Sequence, residues 1–226
     1  MNLIWQDNQI NSGLSIKSSG SMKGDWLKQR NYLRELFGNN RVIVSANLVH
    51  GSKVISVDGL LDDQIIPDCD ALITSDRDKI LSLTVADCLP IYFYDRKQAV
   101  IALAHAGWRG LLAGIVTEAI FSFKNNYQSK LEDIEVQIGP HIKACHFEVK
   151  ADVASQFPLE LIIRRGDKIY IDLAKMVVKQ LSESGVLTNN ISVSDNCTHC
   201  LPDKYFSYRR DRPKELETML AYIGFK

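Results

Sequence analysis

Residues 84–114 read TVADCLPIYFYDRKQAVIALAHAGWRGLLAG, and the rest of the chain is arranged around them. An apolar run, Ile80 to Val85, stops at Ala86-Asp87-Cys88-Leu89-Pro90. A second run, Ile91 to Tyr94, turns at Asp95-Arg96-Lys97-Gln98. A third, Ala99 to Ala104, stops at His105-Ala106-Gly107-Trp108-Arg109-Gly110. Short apolar runs bounded by turn residues predict strands. After Gly107 the spacing of Leu111, Leu112, Ile115, Val116, Ala119, Ile120 and Phe123 places one wide apolar face on a helix. Strands and helices alternate irregularly along the chain. That predicts an α/β fold, a single domain over residues 1–226 with a mixed central sheet flanked by helices.

Cys88 and His105 stand at strand ends, where an α/β sheet exposes its chemistry. They are expected side by side at one rim. A thiol and an imidazole there form either a nucleophile with its base or two ligands of a soft-to-borderline metal. Asp87, next to Cys88, is read as a proton-transfer residue or as an orienting carboxylate.

Composition narrows the function classes. The 226 residues are 46% hydrophobic, enough for a sizeable core, and carry 27 basic against 27 acidic side chains. No net field draws such a chain to nucleic acid or an anionic membrane. The start, Met1 to Asp7, has neither a charged region nor a long apolar stretch of a secretory leader, and no apolar run nears the ~20 residues that span a bilayer. Five cysteines without an export signal favour reduced thiols, so a cytoplasmic protein is expected.

Elsewhere, Asp25 is expected to cap a helix through Trp26, Leu33 and Phe37 that ends at Gly38. Arg30 and Arg34 are read as its solvated face, and Asp62-Asp63 as solvated loop charge. Residues 2–21 read as polar with scattered apolars. Arg41–Ser45 and Lys53–Val57 are expected to be neighbouring strands, with His50-Gly51 at the bend. Ile134–Ile138, Lys168–Ile171 and a last strand at Ile191–Val193 follow, and Asp172 caps a helix closed by Gly185. His141 to Glu148 is a second His/Cys concentration, containing Cys145, and on bare chemistry it competes for a metal with the first. Cys197-Thr198-His199-Cys200 suggests half of a zinc ribbon or a redox pair, but no second Cys pair exists and the context is not thioredoxin-like, so packing behind the site is the expectation for it.

The strings Thr84-Val85-Ala86-Asp87-Cys88 and Ala104-His105-Ala106-Gly107-Trp108-Arg109-Gly110 carry a resemblance. With Val49-His50-Gly51, Asp70-Ala71-Leu72-Ile73-Thr74, Ile138-Gly139-Pro140, Cys197-Thr198 and Phe206-Ser207-Tyr208-Arg209-Arg210, the chain resembles the YfiH family, also called laccase-domain or multicopper polyphenol oxidoreductase proteins. The resemblance implies that His50, Cys88 and His105 bind zinc, with copper the alternative. It also implies phosphorolysis of purine nucleosides (adenosine, inosine, guanosine, methylthioadenosine), with adenosine deamination. Cys88, His105 and Asp87 would be catalytic, and Arg109, Arg209 and Arg210 would bind substrate. Nucleoside and phosphate would be the partners, without nucleic acid or membrane, for a monomer or small homo-oligomer.

Two departures stand out. Leu48 takes a place where the family usually has Gln, and Arg212-Pro213-Lys214-Glu215 replaces its Gly-Arg step. Competing readings are a copper polyphenol oxidase, a cysteine hydrolase or peptidoglycan-precursor editing enzyme, and a non-enzymatic metal-binding module. Only five histidines and no His-x-His pair argue against a multicopper machine.

Overall fold

The computed structural model describes residues 2–6 and 8–226. The hairpin Leu89–Asp95/Val100–Ala106 is buried along its whole length. Its register sets Pro90 opposite His105 and Asp95 opposite Val100. Alternate side chains go to two different cores. Leu89, Ile91, Phe93, Ala102, Ala104 and Ala106 face helices, whereas Tyr92, Tyr94, Ile101 and Leu103 face a second sheet. Strands covered on both faces are apolar throughout, which is why these runs lack a polar alternation.

The α/β class holds, with mixed sheets flanked by helices, and the central layer is doubled. One six-stranded sheet runs, in spatial order, Asn2–Gln6, Ile10–Leu14, Met219–Phe225, Lys79–Val85, Val42–Ala46 and Gln64–Ile66. The other runs Ile191–Val193, Ile134–Ile138, Leu89–Asp95, Val100–Ala106, Ala71–Thr74 and Val54–Ser56. They pack face to face around Ile10, Leu14, Leu81, Leu83, Met219 and the inward residues of the hairpin. The Tyr92 hydroxyl crosses this core and donates to the Gly13 carbonyl at 2.9 Å, so the buried phenol is satisfied. Helix Trp26–Phe37 covers the outer face of the first sheet through Leu33. Helices Ile115–Tyr127 and Leu173–Glu183 cover the other.

The chain passes from one sheet to the other between Val85 and Leu89. Asp87 makes that crossing with a left-handed backbone, φ 78°. The expected caps are formed: Asp25 accepts from the Lys28 N–H and Asp172 from the Lys175 N–H, each at 2.9 Å.

Several local readings need correction. The residues after Gly107 make two helices, Trp108–Leu112 and Ile115–Tyr127, because Gly114 turns left-handed (φ 89°) between them. Val54–Ser56 is no neighbour of Val42–Ala46; it pairs with Ala71–Thr74 in the other sheet. The last strand is Met219–Phe225, central to the first sheet, and it pairs with Ile10–Leu14. Their pairing spans almost the whole chain, which local periodicity does not register.

Arg30 and Arg34 are not a free solvated face. Both reach Asp63 Oδ2, at 2.6 and 2.5 Å, while Asp63 Oδ1 accepts from the Ile43 N–H. Burial pushes the Asp63 carboxyl up, but the Ile43 N–H and the two guanidinium charges outweigh it and hold it below its ordinary 3.8. A depressed carboxylate stabilises the fold above the unfolded-state pKa, and that contribution is lost as pH falls through the folded value. Asp63→Asn should therefore cost about 1–3 kcal/mol near neutral pH by urea denaturation, and the gap to wild type should close as the medium is acidified below the carboxylate range.

Candidate metal centre

The centre forms where the sheet crossing, the end of a strand and a turn converge. Cys88 follows the crossing, His105 sits near the end of strand Val100–Ala106, and His50 lies in the turn after Val42–Ala46. A donor atom from each lies within 4.8 Å of the other two. The His50 and His105 rings meet edge to face, with centroids 4.8 Å apart. His105 is buried, Cys88 partly accessible and His50 exposed, so the cluster opens to solvent on one side.

Asp70 locks this geometry, and it carried no assigned role in the sequence reading. Its side chain is fully buried beside His105. Oδ1 lies 2.8 Å from His105 Nδ1 and accepts from the His50 N–H, while Oδ2 accepts from the Val49 and Gly51 N–H groups. The Asp70 carbonyl also accepts the His105 N–H at 2.7 Å. With Nδ1 engaged, His105 has Nε2 left to offer a metal. Burial would raise the Asp70 carboxyl; the His105 hydrogen bond and the Gly51 N–H outweigh it and hold it low. His50 keeps a left-handed backbone, φ 60°, in the turn those N–H bonds define.

Burial likewise pushes the Cys88 thiol up, but the His105 charge and hydrogen bonds from His105 and His50 bring it down to about 6. Burial pushes His105 down, but Cys88 and Asp70 raise it to about 9. Each partner favours the charged form of the other, thiolate on Cys88 and imidazolium on His105. A deprotonated sulfur is the form a metal takes.

Two glycines shape the centre. A Cβ on Gly107 would lie 3.1 Å from Cys88 Sγ and 3.2 Å from the His50 ring, so its absence makes room for the donors themselves. A Cβ on Gly110 would lie 2.8 Å from the Gly51 carbonyl, so that glycine lets a helix pack on the His50 turn. The helix beginning at Trp108 is one short turn, Trp108–Leu112.

Two hollows meet at His50 and Cys88. One, about 230 Å³, is walled by Trp108, Arg109, Phe147, Tyr208 and Arg209. The other, about 340 Å³, is lined by Lys23, Asn47, Leu48, Thr84 and Thr218. Arg109 stacks over the Trp108 ring at 4.3 Å and makes no hydrogen bond or ion pair among the described residues. Arg209 lies over Phe147 and donates to the Glu148 carbonyl. Arg210 is not brought to the hollow: its guanidinium donates to the Thr198, His199 and Tyr205 carbonyls and to Asp211. The Asp87 carboxylate accepts from Thr198 Oγ1 at 2.6 Å, Ser207 Oγ at 3.0 Å and the Arg209 N–H at 2.7 Å. That ties the crossing to the segment that carries Arg209.

A protein family described as multi-copper polyphenol oxidoreductase laccase matches residues 9–226. The chain is 35% identical to a purine nucleoside phosphorylase of Clostridium acetobutylicum, over 77% of this chain and 73% of that one. It is 33% identical to the purine nucleoside phosphorylase YfiH of Escherichia coli, over 73% and 67%. Among solved structures, the hypothetical protein YfiH of Bacillus licheniformis superposes with a TM-score of 0.89 at 26% identity, covering 99% of this chain and 96% of that one.

Two measurements test the electrostatics of the centre. In metal-free protein, peptide-resolved alkylation of Cys88 should rise with pH through a midpoint of about 6, and His105→Gln should move that midpoint upward. Asp70→Asn should weaken metal binding at the cluster by roughly 10–100-fold in a chelator competition.

Proposed function

The chain belongs to the multi-copper polyphenol oxidoreductase laccase family, and on that premise we propose that it is a zinc-dependent purine nucleoside phosphorylase. One observation carries the reading: a two-imidazole, one-thiol donor set opens into a hollow that also holds a free guanidinium and aromatic walls. His50, Cys88 and His105 would hold the zinc, a borderline ion suited to nitrogen and sulfur donors. Zinc bound there supplies Lewis-acid chemistry and brings the pKa of a bound water toward neutrality.

The chain's own residues would then divide the work. Arg109, with its guanidinium free, binds phosphate together with Arg209. Trp108, Phe147 and Tyr208 offer aromatic surface to the purine. In phosphorolysis a phosphate oxygen bonds to the ribose anomeric carbon as the bond to the base breaks, and the base leaves with the bonding pair and takes up a proton. Asp70 holds the His105 tautomer. Asp87 acts in this reading as a positioning residue, because three donors already occupy its carboxylate. Adenosine deamination, in which water attacks C6 of the purine and the amino group leaves as ammonia, belongs to the same proposal.

The histidines support zinc over a multicopper assembly. The chain has five. His141 is buried, which pushes it down to about 4, and its Nδ1 is engaged by the Gly139 carbonyl. His146 lies in a separate donor cluster with Cys145, Cys197 and Cys200, and His199 stacks on it with centroids 3.8 Å apart. Two imidazoles remain beside Cys88.

Adenosine incubated with metal-quantified protein should yield adenine only when phosphate is present. Inosine formed without phosphate would report the deaminase activity, and neither product from zinc-loaded protein would overturn the reading. Arg109→Ala should raise the KM for phosphate by about tenfold or more, the loss of a charge-assisted hydrogen bond.

A further inference from the structure

Three of the five cysteines lie away from the centre just described, in two segments separated by about fifty residues, and the fold brings them together. Cys145 and His146 come from the loop after Pro140; Cys197 and Cys200 come from the loop after strand Ile191–Val193. Their four donor atoms lie within 4.8 Å of one another. Cys145 Sγ is 3.6 Å from Cys197 Sγ and 3.7 Å from Cys200 Sγ. His146 Nδ1 is 3.1 Å from Cys145 Sγ and 3.3 Å from Cys200 Sγ.

Those separations have a simple meaning. Sulfurs bonded to one another stand about 2.05 Å apart. Sulfurs at the corners of a tetrahedron around an ion, each at about 2.3 Å, stand about 3.7–3.8 Å apart. The sulfur–sulfur distances of 3.6 and 3.7 Å fit the second arrangement. Three thiols and one imidazole also form the donor set of a closed zinc site, with no position left for substrate.

The backbone around Cys197 suits a thiolate. The backbone N–H of Lys143 points to Cys197 Sγ at 3.5 Å, and the Cys200 N–H also bonds that sulfur. The Cys-x-x-Cys loop is itself held from outside: Arg210 donates to the Thr198 and His199 carbonyls, and the Thr198 N–H donates to the His141 carbonyl. That gives Arg210 a structural task. The missing second Cys pair of the ribbon pattern is replaced by Cys145-His146, supplied across the fold.

We infer that Cys145, His146, Cys197 and Cys200 form a second zinc site, structural in kind, which staples the 145–148 segment to the 197–200 loop. The staple bears on the first centre at both ends. Phe147 and the Glu148 carbonyl hold Arg209 on one side, and Thr198 holds Asp87 on the other. The site stands on its own donors and does not depend on which substrate the first centre takes.

Metal counting on the purified full-length chain tests it. Wild type reconstituted with zinc should hold two ions per chain. Cys88→Ser and Cys145→Ser/Cys200→Ser should each hold one, and the second variant should also melt at a lower temperature. A single ion in wild type, or a count unchanged by the double substitution, overturns the site. Should the double variant fail to fold, cobalt-loaded Cys88→Ser decides. Its sulfur-to-cobalt charge-transfer band should keep about three quarters of the wild-type intensity, since three of four thiolates remain. Loss of the whole band overturns the inference. None of these readouts uses a nucleoside, so a failed phosphorolysis assay leaves them intact.

Discussion

The buried carboxylate of Asp70 is the constraint on which the centre depends. It lies between an imidazole and three backbone N–H groups, and it joins the end of one strand to a turn that enters from elsewhere in the chain. A carboxylate so enclosed would be costly to bury alone. Here its charge is matched by His105, and its lone pairs are met by donors that have no other partner in the turn. The same contacts aim His105, shape the backbone at His50 and place both beside Cys88. Geometry, tautomer and charge therefore follow from one residue.

The second constraint is topological. Because the chain changes sheets between Val85 and Leu89, the thiol stands at a seam where both sheets end, and two hollows open on its two sides. Asp87 makes the crossing in a strained backbone conformation, and its carboxylate takes three hydrogen bonds from the far end of the chain. Strain of this kind persists when surrounding contacts over-determine it. Here those contacts are also what bring Arg209 to the hollow. The proposed staple at Cys145, His146, Cys197 and Cys200 would brace the same region from behind.

Much of this was legible beforehand, for reasons that differ by element. The hairpin was readable because its residues are apolar on both faces and its turn is polar. The capped helices were readable because Asp25 and Asp172 act on their own next turn. Cys88 and His105 were readable as neighbours because both sit at ends of strands one turn apart. By contrast, Asp63 looked like ordinary loop charge, since its partners Arg30 and Arg34 are about thirty residues away. Arg210 looked like a ligand for phosphate, and three carbonyls and Asp211 occupy it instead. Asp70 was visible only as part of a matching string.

Sequence alone thus determined what depends on near neighbours: strand and helix starts, caps, the apolar hairpin, and the residue types able to do metal and phosphate chemistry. Tertiary structure alone decided what depends on distant pairing. It split the central layer into two sheets and seated Met219–Phe225 against Ile10–Leu14. It closed Asp70 over His105, and it gathered four donors from two loops into one cluster. Local periodicity records the burial of a face, but a hydrogen bond or a ligand cluster between distant segments leaves no period behind.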